Sequence, residues 1–103
     1  MLTLPIKKKW FDMIKSGEKK EEYREIKPYW YTRFKNDMFP CLCEDKLVIR
    51  SAQGKVIFQN GYQKNAPKIM CEVKITTDFG KEEWGAEPNK MYYVLKILSV
   101  EEV

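Results

Sequence analysis

The sequence has 103 residues, and its apolar fraction of 44% and aromatic fraction of 14% suffice for one packed core and exclude a disordered chain. No apolar run approaches the roughly 18 residues that span a bilayer, and the apolar N-terminal residues precede their positive charges, which is the wrong order for a signal peptide. We therefore expect a single domain over residues 1–103 in a soluble, cytoplasmic protein.

The net charge is +4, and the basic residues are concentrated in residues 1–40. Such a basic half suits a polyanionic partner such as RNA, although a solubilising surface has the same composition. The chain has no histidine, and its cysteines are Cys41, Cys43 and Cys71. Because the Cys-x-Cys spacing lacks the spacer of a zinc knuckle, we expect reduced structural thiols, no metal and no cofactor.

The first elements have clear local signals. Leu2–Ile6 alternates like a strand, and Pro5 favours a sheet edge because proline cannot donate a ladder hydrogen bond. Lys7–Ser16 has the spacing of a helix whose core face carries Trp10, Phe11 and Ile14. Gly17 stands where a left-handed C-cap is expected.

Residues 19–26 are predicted to form a strand with almost no apolar side chains, which presents charge rather than building the core. Strand alternation places Glu22 and Arg24 on the same face. A second helix is predicted from Pro28 to about Lys35. One side of this helix is aromatic and consists of Tyr29, Trp30, Tyr31 and Phe34. We interpret these residues as mainly core, with one ring lining a cleft.

The second half of the chain reads as strands separated by turns. In chain order we predict a loop over 36–45, a strand over 46–50, a turn at Gly54, a strand over 56–58, a turn at Asn60-Gly61, a strand over 68–77, a loop over 80–90 and a bulged strand over 91–100. Five or six short strands and two early helices predict an α+β fold, in which one sheet curls into a small barrel.

Gly17, Lys19, Glu22 and Arg24 form the first candidate site. Arginine offers a planar fork for a phosphate or a base edge, and lysine offers a point charge. Glu22 and Arg24 can pair with each other or separate around a ligand. The alternative is an exposed strand whose solvated ion pairs contribute under about 1 kcal/mol each.

Two further candidate groups lie later in the chain. Tyr62 can stack on a base while Asn60 reads a base edge and Arg50 assists, or these residues form an ordinary hairpin with a half-buried tyrosine. Trp84 belongs to a long loop, where it either closes a site or pins the loop to the core. Tyr92 and Tyr93 point to opposite faces of the last strand, so we expect one in the core and the other at the cleft. The pattern does not decide which, and Tyr93 is included among the candidate ligand-binding residues.

The pattern Gly17-x-Lys19-x-x-Glu22-x-Arg24, after a helix that contains Trp10-Phe11, resembles the ASCH domain, the activating-signal-cointegrator homology family of the PUA-like superfamily. The resemblance covers nearly the whole chain. It implies a PUA-like β-barrel and a cleft, lined by the motif, that accepts RNA or a nucleotide derivative.

One group within the family consists of amidohydrolases acting on N4-acetylcytidine, in which a threonine nucleophile occupies the position of Glu22. Lys19 matches the neighbouring lysine of that group. A carboxylate is a poor nucleophile for amide cleavage, so Glu22 argues against the same reaction in this chain.

Three functions follow from these features. The first is binding of RNA or a nucleotide-like molecule through the basic cleft. The second is hydrolysis of a modified nucleoside or RNA, with Glu22 as general base and Lys19 as electrostatic stabiliser. The third is a protein-interaction module whose aromatic surface binds a partner while the motif braces the fold.

Overall fold

In the computed structural model, which describes residues 1–38, 41–43 and 47–103, a curled sheet packs its apolar face against two helices. For residues 41–43 only the backbone is described. The helices are α1 (Lys8–Ser16) and α2 (Pro28–Asp37). The strands are β1 (Leu2–Ile6), β2 (Glu21–Arg24), β3 (Cys41–Cys43), β4 (Val48–Asn60), β5 (Lys68–Phe79) and β6 (Met91–Glu102).

The strand order is β1-β4-β5-β6-β2, and this five-strand path curls into a half-barrel. β1 runs parallel to β4, whereas the other pairs are antiparallel, and β3 pairs with β4 off the main path. The curl brings the two edge strands towards each other. As a result, a guanidinium nitrogen of Arg24 on β2 lies 3.4 Å from the Pro5 carbonyl oxygen on β1. The predicted α+β class and the edge position of β1 are confirmed.

The end of α1 and the start of α2 agree with their local signals. Gly17 has a φ of +85°, and its N–H donates to the Ile14 carbonyl. The N–H of Lys19 then donates to the Met13 carbonyl, so the chain leaves α1 in a fixed direction towards β2. Pro28 occupies the first turn of α2, where its missing N–H costs nothing.

Gly54 was predicted to turn the chain, and this prediction is wrong because β4 runs without interruption from Val48 to Asn60. A Cβ atom at Gly54 would lie 3.0 Å from the Met38 side chain. Glycine is therefore suited to the close approach of the segment after α2 rather than to a reversal.

The loop predicted over residues 36–45 is also wrong at two places. α2 continues to Asp37, and Cys41–Cys43 forms β3, which pairs with β4. The sequence pattern around residues 41–43 does not predict that this segment pairs with β4. The start of the strand predicted over 46–50 and the thiols of Cys41 and Cys43 lie outside the described residues and side chains.

The bulge predicted in the last strand is confirmed. Glu72 of β5 faces Ser99, whereas the next residue, Val73, faces Ile97, so Leu98 is the extra residue on β6. The irregularity bends β6 between its buried first half and its exposed second half.

Two apolar clusters lie on opposite faces of β6, as the predicted opposite orientations of Tyr92 and Tyr93 require. Tyr93 lies fully buried in the main core beneath the helices. Tyr92 belongs to a smaller cluster with Tyr23 and Trp84. Cys71 is free and fully buried in the main core, and burial raises the pKa of its thiol to about 12. The smaller cluster supports one wall of the candidate site.

In the described part of the chain, none of the helices has the length and apolar character needed to cross a bilayer. Among the same residues, no three acidic or cysteine side chains come close enough together to hold a metal ion.

Candidate functional site

A cavity of about 1160 Å³ opens where β1 ends, β2 passes and both helices begin. Seven aromatic residues and seven charged residues line it. The aromatic residues are Trp10, Tyr23, Tyr29, Trp30, Tyr62, Trp84 and Tyr92, and the charged residues are Lys7, Glu22, Arg24, Glu25, Arg33, Glu87 and Lys90. Such a lining offers flat apolar faces together with both hydrogen-bond donors and acceptors.

Two charged side chains of β2 line the cavity and form a chain of ion pairs with a lysine behind them. The Lys19 ammonium lies 3.2 Å from Oε1 of Glu22, and an Arg24 guanidinium nitrogen lies 2.6 Å from Oε2 of the same carboxylate. The Glu22 side chain is 7% exposed and the Lys19 side chain is fully buried. The alternative of an exposed strand with solvated ion pairs is therefore wrong, because the central charges of the motif are buried and paired.

The Lys19 ammonium is fully buried and contacts a backbone carbonyl and two aromatic rings. It donates to the carbonyl of Trp84, and it lies 4.3 Å from the ring centre of Trp10 and 5.2 Å from that of Tyr23. Burial lowers the pKa of Lys19, and the adjacent Glu22 carboxylate offsets this effect only in part. Lys19 thus joins α1, β2 and the loop after β5 from behind the cavity wall.

Arg24 is held in one orientation at the cavity surface. Besides Glu22, its guanidinium donates to the Tyr23 carbonyl at 2.7 Å, and its Cζ atom lies over the Trp30 ring, 5.3 Å from the ring centre. The Arg24 side chain is 15% exposed. A guanidinium that is fixed in this way can meet a ligand without losing further side-chain freedom.

The segment after β5 supplies another wall of the cavity. Gly85 has a φ of +99°, and a Cβ atom there would lie 3.0 Å from the Trp10 ring. The hydroxyls of Tyr23 and Tyr92 accept hydrogen bonds from the backbone N–H groups of Lys81 and Glu87, respectively. The loop is therefore pinned to the smaller apolar cluster, as one interpretation of Trp84 predicted, while Trp84 also lines the cavity.

Four of the predicted site residues line the cavity: Glu22, Arg24, Tyr62 and Trp84. Two others support it without reaching its surface, since Lys19 contacts Glu22 from behind and Gly17 ends α1. The carboxylate–guanidinium pair on one face of β2 was predicted from strand alternation and is confirmed.

Arg50, Asn60 and Tyr93 do not line the cavity. Arg50 and Asn60 lie near opposite ends of the uninterrupted β4, so no turn at Gly54 brings them together. The Tyr93 hydroxyl donates to the Leu47 carbonyl inside the core, and burial raises its pKa to about 12. Of these two neighbouring tyrosines, it is Tyr92, on the other face of β6, that lines the cavity.

Several cavity residues were assigned to the core or not singled out. Trp10 was placed in the core with Phe11, yet it is half-buried and lines the cavity. Both Tyr29 and Trp30 of α2 line the cavity, where one ring was predicted. The usable signal is an excess of aromatic residues in the first turns of both helices, beyond what one core-facing stripe requires.

No protein-family model matches this chain, and none of the curated proteins or solved structures compared with it gives a significant match. The function must therefore be argued from the geometry and chemistry of the cavity itself.

Proposed function

We propose that this protein binds RNA or a nucleotide-like molecule in the cavity next to Glu22 and Arg24. The observation that carries the proposal is a cavity whose lining combines seven aromatic side chains with an immobilised arginine–carboxylate pair. Aromatic rings provide stacking surfaces for bases, whereas arginine and glutamate meet the acceptors and donors of a base edge or the oxygens of a phosphate.

The balance of charge in the lining favours a ligand with a base over a bare polyphosphate. Four basic side chains and three acidic side chains line the cavity. A polyphosphate would meet repulsion from the acidic groups, whereas a nucleotide presents one charged end and a polar base edge.

The same features support the proposal that the chain is an ASCH domain with a PUA-like fold. Gly17 ends the helix before the motif strand, and Glu22 and Arg24 of the motif face a cavity between the sheet and the helices. These are the positions that the resemblance implies for a ligand site.

The test compares Arg24→Ala with the matched substitution Arg50→Ala, because both remove one positive charge and only Arg24 lines the cavity. We expect Arg24→Ala to weaken single-stranded RNA binding by about tenfold or more, and Arg50→Ala to have a much smaller effect. Binding is measured by fluorescence anisotropy across a salt titration.

Thermal unfolding of both variants provides the control for folding, and Arg24→Lys tests whether the planar fork matters beyond its charge. Equal losses in the two alanine variants would assign binding to diffuse charge. Absence of saturable binding by the wild type at low salt would remove the proposal.

Hydrolysis of an acylated nucleoside or of RNA is the second candidate, and the position of Glu22 favours it. Its carboxylate lines the cavity with a buried ammonium 3.2 Å away. In that case Glu22 takes a proton from a water molecule whose oxygen attacks the acyl carbon or the phosphorus. The bond to the leaving amine or hydroxyl oxygen then breaks, and the proton passes from Glu22 to that group, while the Lys19 ammonium behind Glu22 stabilises its carboxylate. We expect Glu22→Gln to abolish turnover in mass analysis of incubated substrates, and turnover that persists would contradict this role.

A further inference from the structure

Tyr62 lies at the edge of the cavity in the loop between β4 and β5, and 88% of its surface is exposed. A single exposed aromatic residue is common on protein surfaces. Here, however, the backbone on both sides of the exposed ring is held by hydrogen bonds, and that combination calls for an explanation.

The buried side-chain amide of Gln59 holds the chain on either side of Tyr62. Its nitrogen donates to the carbonyl of Gly61 at 2.8 Å and to that of Gln63 at 3.1 Å. The N–H of Gly61 donates to the Ile6 carbonyl at 2.9 Å, which ties the loop to β1. The position of Tyr62 is therefore fixed relative to the cavity, while its ring remains free to contact a ligand.

The far end of the loop is closed in the same manner. The N–H of Asn60 donates to the Pro67 carbonyl at 2.9 Å, and the N–H of Ala66 donates to the Gln63 carbonyl at 3.0 Å. The Lys68 ammonium donates to the Lys64 and Ala66 carbonyls. A loop that is ordered before binding loses little entropy when a ligand stacks on it.

The cavity is also larger than one small ligand requires. Pockets for drug-sized molecules measure about 300–1,000 Å³, and this cavity measures about 1160 Å³. Its lining includes two exposed tyrosines, Tyr62 and Tyr29, the latter 57% exposed, and Arg33, whose guanidinium donates to the Tyr29 hydroxyl at 2.6 Å. Stacking faces with a nearby guanidinium match a second base and its linking phosphate.

We infer that the ligand is single-stranded RNA that spans more than one nucleotide, with one base in the inner cavity beside Glu22 and Arg24 and a neighbouring base stacked on Tyr62. This inference rests on the proposed function of the cavity. It assigns the Tyr62 ring to the binding of the neighbouring nucleotide of the RNA rather than of the nucleotide in the inner cavity.

The experiment compares an RNA hexamer of mixed sequence with the four ribonucleoside monophosphates, using the wild type, Tyr62→Ala and Tyr62→Phe. Isothermal titration calorimetry reports the dissociation constants. We expect Tyr62→Ala to weaken hexamer binding by about 5- to 150-fold, the effect of losing one stacked base. The affinity for the monophosphates should fall by a clearly smaller factor than the hexamer affinity, and Tyr62→Phe should retain hexamer affinity because it keeps the ring.

The unfolding temperature of Tyr62→Ala should match that of the wild type, since the ring is exposed. The inference is overturned if the hexamer binds no more tightly than the best monophosphate. It is also overturned if Tyr62→Ala leaves hexamer binding unchanged or weakens both ligands equally. Monophosphate binding that persists in those cases would leave the proposed function standing, whereas no binding of either ligand would remove both.

Discussion

Lys19→Met is expected to lower the free energy of unfolding by about 3 kcal/mol, since breaking a buried ion pair on one side leaves its partner uncompensated. The substitution removes one of the two cations beside the buried Glu22 carboxylate and the donor to the Trp84 carbonyl. The methionine side chain retains most of the volume between the Trp10 and Tyr23 rings. Urea denaturation at pH 7 measures the change.

The matched control is Lys20→Met, at the neighbouring lysine, whose side chain is exposed. It should change the free energy of unfolding by less than about 0.5 kcal/mol. The double variant Lys19→Met/Glu22→Gln should be less destabilised than the sum of the two single variants, because no uncompensated charge remains in the pair. Similar values for Lys19→Met and Lys20→Met would contradict the structural role of Lys19.

The lowered pKa of Lys19 adds a pH dependence to this comparison. In the unfolded chain the ammonium keeps its proton up to its ordinary pKa of 10.5, whereas in the folded protein it loses the proton at lower pH. Stability therefore rises with pH in the window below 10.5, and the gap between the wild type and Lys19→Met should widen towards that pH. Cys71 and Tyr93, whose pKa values are raised, act in the opposite direction but equally in both proteins.

Phe34→Ala is expected to lower the free energy of unfolding by about 3–5 kcal/mol, the usual range for a buried phenylalanine. Phe34 is fully buried in α2, where its ring stacks on Trp30 at 5.9 Å and meets Tyr93 edge-on at 5.6 Å. The Trp30 ring in turn packs against the guanidinium of Arg24. Loss of Phe34 should therefore weaken both the core and the cavity wall.

Phe79→Ala is the control of the same residue type, because Phe79 is 57% exposed at the end of β5. It should cost less than about 1 kcal/mol in the same denaturation experiment. If the two alanine variants unfolded within 1 kcal/mol of each other, the packing role assigned to Phe34 would be wrong.

The elements with local signals could be predicted from the sequence. Gly17 and Pro28 mark helix ends through backbone constraints that act within a few residues, and the β6 bulge follows from a break in alternation. The prediction of a turn at Gly54 was wrong because the role of this glycine depends on its contact with Met38, which belongs to a different part of the fold. The strand Cys41–Cys43 depends likewise on its partner, β4.

The candidate site shows the same division. Strand periodicity placed Glu22 and Arg24 together, because that relation spans two residues. The burial of Lys19 could not be predicted, since its carbonyl partner belongs to Trp84, 65 positions later. Periodicity also placed Tyr92 and Tyr93 on opposite faces, but only the path of the loop after β5 decides that Tyr92 reaches the cavity.

The pairing of β2 with β6 has a consequence for the synthesis of the protein. β2 is synthesised early in translation, but its residues Glu21–Arg24 pair with Tyr93–Lys96 of β6, which are synthesised much later. The hydrogen bond from Lys19 likewise requires the carbonyl of Trp84. The cavity can therefore assemble only after β6 has been synthesised and can pair with β2. A shorter nascent chain has no formed site with which to capture a ligand.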